Sequence, residues 1–184
     1  MPEDGRRGGE QWIQKRKVNV RSQVGGMFVD LKGGGGGYPP VISLRDHIHA
    51  LFNLFNLHSD LIFLSDNKTW ETNPNQHWII FSTDVPGDSR VMIKSPVTGG
   101  YLSSYGHRRH VDCETSDLWD EKFQWFLDGG DINNITEDQV VSFRSCKYPH
   151  LYLDLFGGKG ESGQPFITFE ENNNNNQKFR LWFR

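Results

Sequence analysis

Two cysteines, Cys113 and Cys146, are all that the 184 residues contain. That is too few for a disulfide framework, so the core itself must carry the stability. The sequence does not fix whether the two pair. No apolar run reaches the roughly eighteen residues a membrane helix requires, so no membrane insertion is expected. The net charge of −3 supplies no general attraction to nucleic acid or to an anionic membrane. Met1 to Glu10 is polar and glycine-rich, without the apolar stretch of a signal peptide. The expectation is a cytoplasmic protein, or one exported without a signal peptide. Helical periodicity is missing from residues 140–184, and no nucleophile with a sequence-evident base occurs. The chain is therefore expected not to be an enzyme and to need no cofactor.

What is abundant is aromatic residues (13 Phe, 6 Trp, 5 Tyr) together with 20 glycines. Such a mixture suits short strands joined by tight turns. The last forty-five residues show the pattern most plainly. Val140–Ser145, Leu151–Leu155, Pro165–Phe169 and Phe179–Phe183 are four apolar runs separated by Gly, Pro and Asn clusters.

This block recurs upstream. Val18-Asn-Val-Arg-Ser22, Val91-Met-Ile-Lys-Ser95 and Val141-Ser-Phe-Arg-Ser145 each read apolar, any, apolar, basic, Ser. Phe28-Val-Asp30, Tyr101-Leu-Ser103 and Tyr152-Leu-Asp154 follow them, and Phe52–Phe55, Phe123–Phe126 and Phe179–Trp182 close the units. One such unit cannot bury its own apolar face, so repetition predicts joint closure of all three. Three four-stranded units give an all-β fold, a β-trefoil with aromatic residues from each copy meeting in one core. The expected division is a disordered tail over 1–14 and one domain over 15–184. Its repeats are placed at about 15–56, 90–139 and 140–184. An inserted hairpin after the first repeat, about 57–89, is expected to be either surface decoration or, through Trp70 and Trp78, an interface for a homo-oligomer.

The residues also carry family resemblances. Asp154, Phe169, Asn176, Gln177 and Phe179 resemble the ricin-type carbohydrate-binding repeat, with Phe at its two usual Trp positions. The opening of that repeat, Val141–Ser145 with Tyr148-Pro149 and Tyr152-Leu153, is similar to the trefoil domain of arabinofuranosidases. Asp30–Gly34 with Arg45-Asp46-His47-Ile-His49 resembles mussel trefoil lectins, and Tyr101–Phe123 resembles fascin repeats. The lectin resemblances imply glycan binding with Asp154 as the main sugar ligand, assisted by Asn176, Gln177 and the Phe169 ring. They imply a second pocket at Asp30, Asp46, His47 and His49, with Leu44 where an aromatic would sit. The fascin resemblance implies instead an actin-binding protein using basic patches such as His107–His110.

Sugars present paired hydroxyls and an apolar face, so a carboxylate, amide donors and an aromatic plate form a chemically complete set. Asp154 could equally cap the turn at Gly157-Gly158. As a ligand it should be partly exposed, with Leu153 and Leu155 facing the core. Ser103 in place of Asp makes repeat two a structural copy without a site. His47 and His49 could share a face toward a metal, but spacing specifies no third ligand.

Overall fold

A computed structural model describes residues 6–7, 10–26, 28–31, 60–65, 73–115 and 117–183. Thirteen strands appear among them: β1 (Arg6–Arg7), β2 (Glu10–Ser22), β3 (Phe28–Leu31), β4 (Asp60–Ser65), β5 (Trp78–Thr83), β6 (Arg90–Lys94), β7 (Tyr101–Ser103), β8 (Asp112–Glu114), β9 (Trp125–Asp128), β10 (Ser142–Ser145), β11 (Leu151–Leu155), β12 (Phe166–Glu170) and β13 (Phe179–Phe183). Apart from the short β1, they fall into three sets of four.

The first and fourth strands of each set make a closed ring. β2 pairs with β5, β5 with β6, β6 with β9 and β9 with β10, while β13 returns to β2. Val141 and Phe179 close the last gap by exchanging backbone bonds of 2.9 Å in each direction. The second and third strands form the hairpins β3–β4, β7–β8 and β11–β12. This is the three-unit closure that the repeats predict.

The recurring motif has a physical purpose at each position. Val20, Ile93 and Phe143 are buried at equivalent places, as are Val18, Val91 and Val141. The terminal serines Ser22, Ser95 and Ser145 are also buried, and each hydroxyl accepts a backbone N–H from the following turn, of Val24, Val97 and Tyr148. The basic residue brackets the outside: Arg21 donates to the Gly26 carbonyl, and Arg144 pairs with Asp128.

One aromatic from each unit reaches the axis. Trp78, Trp125 and Phe179 are fully buried in one cluster. Trp78 Nε1 donates to the Val29 carbonyl and Trp125 Nε1 to the Leu102 carbonyl, both at 3.1 Å. Burying the indole therefore leaves no orphan donor.

The first unit differs from its sequence reading. Its third and fourth strands are β4 and β5, which lie inside the stretch 57–89 read as an inserted hairpin. Trp78 is a core residue and not an interface residue, because β5 sits between β2 and β6 in the ring. The extra length falls between β3 and β4, in residues 32–59, which with Trp70 lie outside the described residues. Phe52–Phe55, read as the closing run, lies there too.

The tail is also shorter than expected. β2 starts at Glu10, and Trp12 and Ile13 pair with Thr83 and Ser82 of β5. Trp12 supplies the reason: it is buried with Met92, Tyr101 and Phe123, in a second cluster beside Trp119.

Candidate functional site

β11 carries Asp154, and a 3-10 turn over Asn175–Gln177 leads into β13 beside it. Leu153 and Leu155 face the core as expected. Asp154 does not lie partly open: it is only 3 % exposed. The reason is a lid of carboxamides. Asn176 Nδ2 spans both carboxylate oxygens at 2.9 and 2.8 Å, Gln177 Nε2 donates to Oδ2 at 2.8 Å, and Asn172 Nδ2 donates to Oδ2 at 3.2 Å. Gly158 N bonds to the Leu155 carbonyl, so Asp154 serves the amides and not the glycine turn.

Gln177 is buried and fully employed. Its Nε2 also donates to the Glu170 carbonyl at 2.7 Å, and its Oε1 accepts from Asn172 N at 3.1 Å. It therefore fixes the geometry around Asp154. Oδ2 of that carboxylate accepts three bonds and Oδ1 only one, which leaves acceptor capacity on Oδ1. Burial pushes the Asp154 carboxyl above its usual range; the bonds from Gln177, Asn176 and Asn172 pull it back in part.

Asp154, Asn172 and Asn176 border a cleft of about 730 Å³. Phe169 and Ile167 of β12 form one wall, and Phe156-Gly157-Gly158 forms another. Gly157 and Gly158 both have positive φ, 75° and 60°, so only glycine turns the chain here without strain. The turn leaves Phe156 55 % exposed at the rim, an apolar ring facing water.

A third wall comes from the second unit. The Gly106–His110 segment is bonded to β12: Arg108 N donates to the Thr168 carbonyl at 2.7 Å, Thr168 N to the Arg109 carbonyl at 3.0 Å, and Thr168 Oγ1 to the Gly106 carbonyl. Arg108 thereby enters the cleft with its guanidinium 5.3 Å from the Phe169 ring centre, and the His107 ring lies 5.0 Å from the same ring. Asp154, Phe169, Asn176 and Gln177 are thus brought together. Arg108, Phe156 and Asn172 join them without having been expected.

The first unit holds a reduced copy. Asp30 Oδ2 accepts from Gln76 Nε2 at 2.9 Å and from Asn73 Nδ2 at 3.1 Å. Leu44, Asp46, His47 and His49 lie outside the described residues, so the expected first pocket is represented here by Asp30 alone. Gln76 and Asn73 escaped the sequence reading, although Asn73-Pro-Asn-Gln-His-Trp78 parallels Asn174-Asn-Asn-Gln-Lys-Phe179 residue for residue. In strand register, Ser65 faces Phe28 as Phe169 faces Tyr152. The aromatic place is therefore a serine in this unit.

The second unit has none of this. Ser103 stands at the Asp position, with its hydroxyl donating to the Asp112 carbonyl, and Phe123 stands at the Gln position. Met92 replaces Asn19 and Ser142, which donate to the carbonyls of Gln76 and Gln177 at 2.8 Å. In that register Glu114 takes the place of Phe169. Glu114 pairs with Lys122.

No family model matches the sequence, and no curated protein does either. Solved structures do. The designed threefold-symmetric protein ThreeFoil aligns over 91 % of this chain and 99 % of its own, at 13 % identity and a TM-score of 0.65. The Rhizoctonia solani agglutinin aligns over 94 % and 97 %, at 14 % identity and 0.63. The C-terminal half of the earthworm R-type lectin, solved with GalNAc, aligns over 92 % and 99 %, at 15 % identity and 0.59. At these identities the likeness fixes the architecture alone, and with the threefold ring of strands it makes this chain a β-trefoil.

Proposed function

We propose that the protein is a lectin that binds glycans reversibly and without catalysis, chiefly through the cleft of the third repeat. The observation that carries this reading is the buried Asp154 carboxylate, clamped by three carboxamides beside the Phe169 ring. Burying a carboxylate is costly even when it is well bonded. Nor does the repeat's fold require it, since the second repeat makes the same four strands with Ser103, Phe123 and Met92 in an apolar setting. A cost that the second repeat avoids and the third accepts points to binding.

The chemistry suits a sugar ring. Asp154 Oδ1 can accept a hydroxyl hydrogen in a charge-assisted bond. Asn176 Oδ1 is buried without a hydrogen-bond partner and adds an acceptor beside it. Phe169, with Phe156 at the rim, offers apolar faces for the C–H side of the ring. The Asp30–Gln76 pair supports a second, weaker site in the first repeat. Several of the similar structures are named as lectins, among them the Macrolepiota procera ricin B-like lectin solved with lactose.

A glycan array on the purified chain, followed by calorimetry on the best ligand, tests the proposal. Binding should appear, and Asp154→Ala should remove its stronger part. Binding that survives Asp154→Ala unchanged places the sugar elsewhere.

A further inference from the structure

We infer that the third-repeat cleft selects glycans carrying an anionic group, a carboxylate or a sulfate ester, and that Arg108 is the residue that reads it. The inference rests on the proposed lectin function and adds the substrate class.

Arg108 and Asp154 are the two ionisable residues bordering the cleft; the rest of its wall is carboxamide, glycine and apolar side chain. They do not neutralise each other. What sets the Asp154 carboxyl is burial and its three amides, with no charged group contributing. Among the described residues Arg108 also has no carboxylate partner, unlike Arg90 and Arg144, which are paired with Asp88 and Asp128. Its guanidinium is exposed and uncommitted at the mouth of the cleft.

It is nevertheless held in place. Arg108 has φ of 58°, a left-handed conformation that costs a non-glycine residue energy. The bonds of Gly106, Arg108 and Arg109 to Thr168 impose that conformation, and the Phe169 ring supports the guanidinium face. An arginine stacked on an aromatic keeps its N–H edge free to bond an anion with two parallel hydrogen bonds. The two ends of the cleft therefore differ: Asp154 deep, accepting hydroxyl hydrogens, and Arg108 at the mouth, donating to an anion. A neutral sugar uses only the first end.

The test is an immobilised panel that pairs neutral oligosaccharides, lactose among them, with their uronic-acid, sialylated and sulfated counterparts. It is probed with the wild-type chain and with Arg108→Asn, Arg108→Lys and Asp154→Ala. Asn tolerates the left-handed backbone, so Arg108→Asn removes the charge without straining the loop. The wild type should bind charged members about tenfold or more tightly than their neutral partners, a preference of the size one charge-assisted pair gives. Arg108→Asn should abolish that preference, with the loss falling on the charged members, and Arg108→Lys should keep part of it. Sialylated and sulfated members ranked against each other identify which anion the geometry prefers. Equal wild-type affinity for charged and neutral members overturns the inference and leaves the lectin reading intact. So does an equal loss of both with Arg108→Asn. No binding to any member overturns the lectin reading, and this inference with it.

Discussion

Gln177 Nε2 donates to Asp154 Oδ2 at 2.8 Å, and two repeats earlier Gln76 makes the same bond to Asp30 at 2.9 Å. In the repeat between them the pair is Phe123 and Ser103. The chain thus contains its own siteless version of the motif. Transplanting that version, as Asp154→Ser with Gln177→Phe, should give a folded protein by circular dichroism that no longer binds glycan through the third repeat. Asp154→Ala alone should behave differently. It strands buried amide donors on Gln177 and Asn176, at about 1–3 kcal/mol for a buried group left unsatisfied. Thermal unfolding should therefore show a loss of stability as well as of binding, whereas a partly exposed ligand would have affected binding alone.

Acid should weaken glycan binding before it unfolds the protein. Burial raises the Asp154 carboxyl above its ordinary value, so it protonates in the native state at a pH where exposed carboxylates remain charged. Because this pKa is raised on folding, the native state takes up more protons than the unfolded chain between the two values. Protonating Asp154 therefore favours the fold as pH falls toward about 4, the ordinary Asp value, while removing the charged acceptor. Asp88 runs the other way. Burial pushes its carboxyl up, but the bonds from Arg90 and Thr83 outweigh burial and hold it below the usual range. Its contribution is present above about pH 4 and is lost as pH falls through the lowered value. Calorimetry across pH 4 to 7 should show affinity falling while the unfolding midpoint, followed in parallel, falls less.

The stretch 57–88 should prove indispensable. It contains β4 and β5, and Trp78 at the start of β5 is fully buried with its indole bonded to Val29. Trp78→Phe should cost about 1 kcal/mol for the lost bond, and the third repeat, with Phe179 at that place, shows that the fold accepts a phenyl there. Trp78→Ala should cost about 3–5 kcal/mol. Replacing 57–88 by a short Gly/Ser turn should abolish the cooperative unfolding transition.

The threefold design was legible because its marks are local. An alternating apolar strand ending in a buried Ser leaves the same five-residue trace at Val18, Val91 and Val141, since each Ser must meet the turn that follows. Asp154, Gln177 and Phe169 were legible for a similar reason, lying within one repeat. The second half of the first repeat was not. Residues 32–59 intervene between β3 and β4, and Phe52-Asn-Leu-Phe55 imitates a closing strand closely enough to hide Trp78. The Asn73–Trp78 parallel with Asn174–Phe179 was there to be found, but it lay in a stretch already read as an insertion. Arg108 was marked only as part of the basic run His107–His110, because its place in the cleft depends on bonds between the second and third repeats. Nor could strand alternation reveal the burial of Asp154, which comes from side chains eighteen to twenty-three residues away.

The two Asp-bearing repeats should differ in strength, and one comparison separates them. Asp30 accepts from the amides of Asn73 and Gln76, as Asp154 does from those of Asn172, Asn176 and Gln177, so the difference between the sites lies in the ring wall. The position matching Phe169 is Ser65, which provides no apolar plate. A sugar at Asp30 would therefore keep its hydroxyl bonds and lose the ring contact, and aromatic contacts supply much of the apolar burial in such sites. Titration of the wild type with the best array ligand should give one stronger and one weaker phase. Asp154→Ala should delete the stronger phase, and Asp30→Ala should leave it within about twofold, because among the described residues the two sites share none and independent sites respond separately to substitution. Phe169→Ala should bring the strong site down to the level of the weak one. A strong phase that follows Asp30 and ignores Asp154 would reverse the assignment and move the principal site to the first repeat.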